Sequence, residues 1–590
     1  MNAVKSIFSP LRAWKYLVKP PVTLPKRFIF EAPREASDSY RGFHQNDLDA
    51  CIGCGTCSEI CPTAAITLVE VEGIEATEGK TNTRPAFDYG RCSFCGLCVD
   101  ICASDSLNMS KNYVYISKEA DNFYFLPQIA GIHGRVDPLG YHRDEVSELL
   151  DLGRRKMNLM DISRKSSFLE IVEGFSKEMA FEEASRCVSC GICTSACPAA
   201  MHIPEYITSV WKDDLEGGLR DVYKTNPLGN VCGRICTHKC EEVCALGHRG
   251  DPIAIRWLKR YIVDHVEENV YTKVATESVL APTMGKIAVI GSGPSGLSCA
   301  YYLRTLGYDV VVYEKQALPG GVIRYGGPAY RLPEESVIRD ISMIEASGVE
   351  FKCSVDIGTD ITLEQLKNKY DAVFLGIGMS ESQTLELPGC NHEAVYYGIP
   401  FLAEARDYTR GLREMPEIHE SAVVVGTGNV AFDVARTLVR MQEIKYGKSD
   451  VHMTTRRKFG TLSADVEEVE EGTEEGIHIH YEVHPRYISS ENNRLEGLVV
   501  ESKPGYEETI SVKSIYIAAG QVADYKLLPQ TIKNEITPKG KLIVNGRGQV
   551  ESHPWLFAGG DITKGPDIIN GVHTGHVAAL GIDEWLRGNK

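Results

Sequence analysis

The stretch KIAVIGSGPSGLSCAYYLRTLGYDVVVYEK, residues 286–315, commits this part of the chain to a strand–turn–helix–strand unit. Ile287 to Ile290 is an apolar run without alternation, the pattern of a parallel strand buried on both faces. Gly291, Gly293 and Gly296 follow at G-x-G-x-x-G spacing. The first lets the chain turn sharply, the second leaves room for a pyrophosphate, and the third lets the helix lie close on the strand. The helix beginning at Pro294 and Ser295 offers unpaired N–H groups to phosphate oxygens. A second strand, Asp309 to Tyr313, ends at Glu314 and Lys315, where a carboxylate can bind a ribose hydroxyl. Candidate dinucleotide contacts are therefore Gly291, Ser292, Gly293, Pro294, Ser295, Gly296, Glu314 and Lys315.

A second fingerprint lies in SAVVVGTGNVAFDVARTLVRM, from residue 421. Gly426, Thr427, Gly428, Asn429 and Val430 form its turn, and Ala431 takes the third small position. The next strand, VHMTT, ends not in an acid but in Arg456 and Arg457. A 2′-phosphate attracts guanidinium and repels carboxylate, so this site is expected to take NADP rather than NAD. The acidic run DVEEVEEGTEEG, residues 465–476, reads as a solvated helix.

Sixteen of the 19 cysteines fall in four tight sets, and the chain is too large for a secreted disulfide scaffold, so the spacing is that of metal ligands in a reducing cytoplasm. Cys51, Cys54, Cys57 and Cys61 follow C-x2-C-x2-C-x3-C-P, and Cys92, Cys95, Cys98 and Cys102 repeat it with Ala103 in place of proline. In such pairs the fourth cysteine of each run serves the other cluster. The first [4Fe–4S] centre is thus assigned Cys51, Cys54, Cys57 and Cys102, and the second Cys92, Cys95, Cys98 and Cys61. C-x2-C pairs also serve zinc, but the doubled four-cysteine run favours iron–sulfur. A third set is Cys187, Cys190, Cys193 and Cys197; a fourth, Cys232, Cys236, Cys240 and Cys244, has a cysteine every fourth residue and is expected on loop and helix turns around Gly233. Cys299, Cys353 and Cys390 read as free buried cysteines.

Net charge is −17, which argues against nucleic acid or an anionic membrane as a main partner. No stretch reaches about 18 apolar residues, so no transmembrane segment is expected. The first residues carry no secretory signal and read as an arm docking on the chain itself or on a partner. Residues 111–160 show no strand or cluster pattern, and His133 and His142 there read as solvated loop residues. From about 163 the pattern turns helical.

Two resemblances follow. The first run, with LVKPPVTLPKRFIFE and YRGFHQNDLDACIGC before it, resembles a two-cluster ferredoxin of the kind found in the eight-iron subunit of complex I. From about 163 to the end the chain resembles the NADPH-dependent flavoprotein subunit of bacterial glutamate synthase. Its relatives are the large subunit of electron-bifurcating NADH-dependent ferredoxin:NADP oxidoreductase and the amino-terminal half of dihydropyrimidine dehydrogenase. The matching stretches include EEASRCVSCGICTSACP, NPLGNVCGRICTHKCEEVC, VYEKQALPGGVIRYGGPAYRLPEE and FAGGDITKGPDIINGV. The resemblance implies one cluster on Cys187, Cys190, Cys193 and Cys244, and another on Cys197, Cys236 and Cys240. Relatives complete the latter with Glu or Gln; the aligned position here is Lys259, which has no acceptor, so Cys232 is expected as the fourth ligand. The resemblance also implies FAD against Gly320, Gly321, Arg324, Gly560 and Asp561, a helix after Asn570 aimed at its ring, and His573 near it.

The expected architecture is multidomain α/β and α+β: an amino-terminal arm (1–45), a two-[4Fe–4S] ferredoxin domain (46–115), a connector (116–160), a helical domain with two further [4Fe–4S] clusters (161–280), and two Rossmann-like, disulfide-reductase-like domains. These are the FAD domain (281–410 and 540–590) and an inserted NADP domain (411–539). A nicotinamide moves electrons in pairs and iron–sulfur centres move them singly; a flavin does both. The expected activity is FAD-dependent electron transfer between NADP(H) and ferredoxin or partner-subunit clusters. The resemblance implies a subunit of a hetero-oligomeric transhydrogenase, of which an electron-bifurcating enzyme is one form, with the glutamate synthase small chain as the alternative.

Overall fold

The computed structural model describes residues 14, 17–19, 36–113, 115–127, 137–143, 153–155 and 162–588. The reading of the amino-terminal arm rests mostly on residues outside these, and His133 also lies outside them. The chain divides into two units, residues 1–153 with 245–251, and residues 154–244 with 252–590.

The first unit is built from short strands around the first two cysteine runs. His44–Asn46 pairs antiparallel with Leu107–Met109. Ile66–Glu70, Thr83–Asp88 and Tyr124–Phe125 form a three-stranded antiparallel sheet. The last strand lies in the segment expected to carry none: two aromatic residues join the sheet edge opposite Phe87 and Asp88. Ile66, Phe87, Val99, Leu107 and Met109 form the buried centre, packed against Cys57, Cys61, Cys98 and Cys102.

The second unit opens with helices. The expected helical pattern from 163 begins with a single 3-10 stretch, Ile162–Ser166, and gives its first α-helix at Lys177–Ser185, because Gly174 adopts φ +88° and Ser176 caps the helix through Met179 N–H at 3.2 Å. Two parallel five-stranded sheets follow. The first runs in the order Leu556–Ala558, Ala372–Leu375, Lys286–Ile290, Asp309–Tyr313, Glu350–Lys352. The second runs Val395–Tyr397, Ser514–Ile517, Ala422–Val425, Val451–Thr454, His478–His480. The central strands are almost wholly buried, as their unbroken Val, Ile and Ala runs require. Each sheet sends its glycine turn into a helix, Pro294–Thr305 in the first and Asn429–Tyr446 in the second. An antiparallel pair, Glu381–Ser382 with Gln521–Val522, links the two lobes. No helix among the described residues is long and apolar enough to cross a membrane.

The acidic run does form a helix, Val466–Glu474, but it is not simply solvated. Glu468 and Glu475 are buried against two arginines of the Asn429–Tyr446 helix. Arg436 donates to Glu468 at 2.7 Å and to both oxygens of Glu475 at 2.7 and 3.0 Å. Arg440 donates to the same Glu475 oxygens at 2.8 and 2.9 Å, and its guanidinium lies 3.7 Å from the Tyr330 ring centre. Burial alone would raise the Glu475 pKa, but these donors hold it down at about 2. A charge in such a site is tolerated only while its partners stay.

Glu475→Gln is therefore expected to cost about 3 kcal/mol by leaving buried guanidinium charge uncompensated. Glu474→Gln, on a carboxylate 61% exposed and paired with Arg164, should cost under about 1 kcal/mol. Thermal unfolding midpoints of the two variants check this; equal shifts would contradict it.

Candidate functional site

At the end of strand Lys286–Ile290, Gly291 has φ +93°, and a Cβ there would stand 2.6 Å from the Gly376 carbonyl oxygen. A Cβ on Gly296 would meet the Gly291 oxygen at 2.0 Å. Gly293 is different: no atom lies within 4 Å of where its Cβ would be. Backbone geometry does not demand glycine there, since its φ is −70°, so the vacant side of the turn is the place a pyrophosphate can approach. The Gly320–Gly321 turn backs onto the other side, with a Gly321 Cβ position 2.8 Å from Gly293 Cα.

Glu314, 5% exposed, closes the loop. Its Oε2 accepts Ser292 N–H at 2.9 Å and Ser292 Oγ–H at 2.5 Å, and its Oε1 accepts Gln316 N–H at 2.9 Å. Ser292 Oγ in turn accepts Gly320 N–H at 2.9 Å. Three of the roughly four acceptor positions of the carboxylate are used, leaving one for a ribose hydroxyl. Lys315 is exposed beside it. Arg324 is no free cation: it donates to Glu334 at 2.7 Å and to the Pro319 carbonyl at 2.9 Å.

The long helix Ile568–Gly588 crosses the Pro294–Thr305 helix where a Gly575 Cβ would stand 2.2 Å from the Ser295 carbonyl. Ser298 Oγ–H donates to Val572 O at 2.7 Å, and the Gly571 Cβ position lies 3.4 Å from Pro294 Cβ. The two helix starts therefore converge, and both dipoles favour negative charge between them. The second helix begins at Ile568, three residues earlier than the reading that began it after Asn570. Asp567 accepts Asn570 N–H at 2.7 Å and caps it. Gly560 needs its φ of +75° and its missing side chain, since a Cβ would meet Ser295 Oγ at 2.6 Å. Burial pushes the Asp561 carboxyl pKa up, and its backbone oxygen accepts from Lys541 Nζ. His573 is half-buried, and burial lowers its pKa.

The second turn repeats the pattern. A Gly426 Cβ would meet the Ala518 oxygen at 2.4 Å, whereas at Gly428 the nearest atom is Ser463 Oγ at 3.9 Å. Thr427 Oγ1–H donates to Thr455 Oγ1 at 3.0 Å, and Asp465 N–H donates to Asn429 Oδ1 at 2.8 Å. The segment carrying Arg456 and Arg457 is thus tied to the helix start beside Val430. Both arginines are exposed. Arg457 donates to Thr461 O at 3.0 Å.

The cysteine loops share one backbone device. In the three C-x2-C-G-x-C runs the third and fifth residues take left-handed conformations: Gly53 and Gly55, Phe94 and Gly96, Ser189 and Gly191. Alternating handedness curls the loop so that thiols and N–H groups face one centre. The thiols of Cys51, Cys54 and Cys102 stand near Cys57, and those of Cys61, Cys92 and Cys95 near Cys98. Cys57 also senses Cys98, so the two sets adjoin. Cys61, Cys92, Cys95 and Cys98 line a pocket that opens to solvent. Among the described residues no three Cys, His, Asp or Glu side chains converge on the position of a single ion. A larger inorganic centre with one thiolate per metal fits such a ring of sulfurs. Burial raises the pKa of Cys57, Cys98, Cys187, Cys193 and Cys240, so these thiols hold their protons until metal displaces them.

In the second unit Cys187, Cys190 and Cys244 surround Cys193. Cys197 and Cys236 are the thiols nearest Cys240. Cys232, 0% exposed, sits in the helix Gly229–Ile235 with Cys236 and Lys259 as neighbours. Lys259 is buried among Cys236, Cys232, Cys240 and Cys197, whose negative charge would hold its proton on. Asp340, which the sequence did not single out, anchors that helix: it accepts Val231 N–H at 2.9 Å and Asn230 Nδ2–H at 2.8 Å. Burial pushes its pKa up to about 6. Nothing local marks it, because its partners are 109 and 110 residues away.

Gly293→Ala should fold with stability changed by less than about 0.5 kcal/mol, yet purify with little flavin. Gly296→Ala should lose stability itself, its Cβ being within 2.0 Å of backbone. Flavin-to-protein ratio and thermal midpoint, read together, check both; full flavin in Gly293→Ala would contradict the site.

Comparison with known proteins agrees with this geometry. Residues 285–579 match the pyridine nucleotide-disulphide oxidoreductase family, residues 164–271 the dihydropyrimidine dehydrogenase domain II, 4Fe-4S cluster family, and residues 50–106 the 4Fe-4S dicluster domain family. The NADP(+)-dependent formate dehydrogenase subunit beta of Moorella thermoacetica is 33% identical over 67% of this chain and 60% of its own length. The NAD-dependent dihydropyrimidine dehydrogenase subunit PreT of Escherichia coli (strain K12) is 33% identical over 71% of this chain and 97% of its own. The glutamate synthase [NADPH] small chain of the same organism is 30% identical over 72% and 95%. This chain thus spans less than two thirds of the first of these relatives. It belongs to the pyridine nucleotide-disulphide oxidoreductase family, as an FAD- and iron–sulfur-dependent oxidoreductase of the glutamate synthase small-chain and PreT group, with a 4Fe-4S dicluster domain ahead of its nucleotide-binding half.

Proposed function

We propose that the chain is the NADP(H)-handling subunit of a larger cytoplasmic complex, exchanging electrons between NADP(H) and ferredoxin or iron–sulfur and flavin subunits, with electron bifurcation as the finer form of this reading. The observation that carries the coenzyme assignment is Arg456: an exposed guanidinium just beyond strand Val451–Thr454, where an NAD site would hold a carboxylate. One relative's name specifies NAD and two others NADP or NADPH, so family membership alone leaves the coenzyme open.

In this reading Gly291–Gly296, Glu314, Gly321, Gly560 and Asp561 hold FAD, and Gly426–Val430 with Arg456 and Arg457 hold NADP(H). Bound FAD supplies the conversion between a hydride pair and single electrons. The chain's own part is to seat the two nucleotides, exclude water from the buried turns, and hold the sulfurs. The four clusters are assigned to Cys51, Cys54, Cys57 and Cys102; to Cys92, Cys95, Cys98 and Cys61; to Cys187, Cys190, Cys193 and Cys244; and to Cys197, Cys236, Cys240 and Cys232. The domain order expected from sequence belongs to the same reading, except that strand Val395–Tyr397, within the expected FAD segment 281–410, pairs into the second sheet. Support for a multi-subunit assembly is that the relatives are named as subunits or a small chain. The glutamate synthase reading is favoured by coverage of 95% of that small chain; glutamine-dependent glutamate formation with an added amidotransferase chain would select it.

Arg456→Gln removes a charged hydrogen bond worth about 1.5–3 kcal/mol, so KM for NADPH should rise about 10- to 100-fold with KM for NADH nearly unchanged. Equal effects on both coenzymes would overturn the NADP assignment. Cys232→Ser should lower iron content and remove one cluster signal. Undiminished iron with unchanged spectra would exclude Cys232 as a ligand.

A further inference from the structure

In the first unit His44 lies 4% exposed in strand His44–Asn46, its ring stacked on Phe87 with centroids 3.9 Å apart. Three contacts fix it. Its backbone N–H donates to the Tyr89 hydroxyl oxygen at 2.7 Å. Its Nδ1 lies 2.9 Å from the same oxygen, and its Nε2 lies 3.2 Å from Cys98 Sγ. His44 also lines the cavity formed by Cys61, Cys92, Cys95 and Cys98.

The position of the ring proton follows from the partners. A ligating thiolate carries lone pairs and no hydrogen, so a bare ring nitrogen facing Cys98 would set lone pair against lone pair. Nε2 must therefore bear hydrogen. The other end of the ring agrees. Tyr89 oxygen already receives the His44 amide hydrogen, which leaves its own hydroxyl hydrogen to point at Nδ1. The order is His44 N–H to Tyr89 O, Tyr89 O–H to Nδ1, and Nε2–H to Cys98 sulfur, with every donor matched to an acceptor.

The neighbouring set is held otherwise. Thr56 Oγ1 lies 3.3 Å from Cys54 Sγ, and Ser106 Oγ lies 3.4 Å from Cys102 Sγ. Those hydroxyls can rotate away; a stacked imidazole clamped by Tyr89 cannot. Hydrogen bonds to cluster sulfurs are among the factors that set cluster potentials, and partners behind a ligand tune the metal.

We propose that His44, oriented by Tyr89, is a potential-tuning residue for the cluster on Cys61, Cys92, Cys95 and Cys98. Its Nε2–H withdraws charge from the Cys98 sulfur and favours the one-electron-reduced state. The cluster gains one electron while the ring keeps its proton, so no proton need move. The proposal rests on the ligand set given above.

The test is an EPR-monitored redox titration of the full chain with its clusters assembled. His44→Leu should retain iron and shift one cluster's midpoint to more negative potential, leaving the adjoining cluster unmoved. His44→Gln, which keeps an N–H donor, should recover part of that shift, and Tyr89→Phe should give a smaller shift of the same sign. An independent readout uses the unsubstituted protein carrying 15N-labelled histidine. Pulsed EPR should show one histidine nitrogen and one exchangeable proton coupled to a reduced cluster, with the nitrogen coupling lost in His44→Gln. Full iron with an unmoved midpoint in His44→Leu would overturn the proposal. If that variant loses iron, the labelled protein decides, and absence of any histidine coupling overturns it. Failure of the unsubstituted chain to hold the two ferredoxin-type clusters would instead strike the ligand assignment.

Discussion

Two left-handed residues in each C-x2-C-G-x-C loop are the constraint on which the iron–sulfur half depends. They turn four residues into a cup whose sulfurs and amides face inward. Glycine meets this demand without cost at Gly53, Gly55, Gly96 and Gly191. Phe94 and Ser189 do not, and each carries roughly 1–2 kcal/mol of backbone strain. Phe94 is held by stacking on Tyr89 at 5.5 Å between centroids, so the tyrosine that orients His44 also steadies a strained loop residue. The fourth set is built differently: Cys232 sits in a helix, Cys236 ends it, and Lys259 lies among the thiols. There a buried ammonium stands among the thiols where the other three sets have a left-handed loop.

The nucleotide half obeys a related rule. Glycines that touch backbone, such as Gly291, Gly296 and Gly575, are there for packing. Gly293 and Gly428 touch almost nothing, so each leaves open space beside its turn. Within the two fingerprint turns, what a Cβ would meet thus separates glycines that packing requires from those it does not. The same sorting explains why both lobes carry the fingerprint yet differ beyond it. Glu314 is buried and bonded into the first loop, while Arg456 and Arg457 stand exposed after the second.

Much of this was legible in the sequence because the signals are local. Strand Asp309–Tyr313 carries the same limits in sequence and structure, since a run of β-branched residues between Gly307 and Glu314 has one reading. The cysteine spacings and the glycine turns are likewise contained within about a dozen residues. What escaped was nonlocal. Strand Tyr124–Phe125 exists because an edge was free beside Phe87. The acids of 465–476 looked solvated because their partners, Arg436 and Arg440, lie in another helix. His44 reads as one polar residue among several until folding sets it against Tyr89, 45 residues on, and Cys98, 54 residues on. Helix Ile568–Gly588 starts three residues before the position expected from sequence, because Asp567 caps it by accepting Asn570 N–H.

The proposed function requires that one chain hold both a two-electron carrier and a set of one-electron carriers. The most direct measurement is the flavin and iron content of the anaerobically purified chain. One FAD and about sixteen irons per chain are expected, the sum for four [4Fe–4S] centres. Protein that is folded and free of flavin, or that holds far fewer irons after full reconstitution, would contradict it.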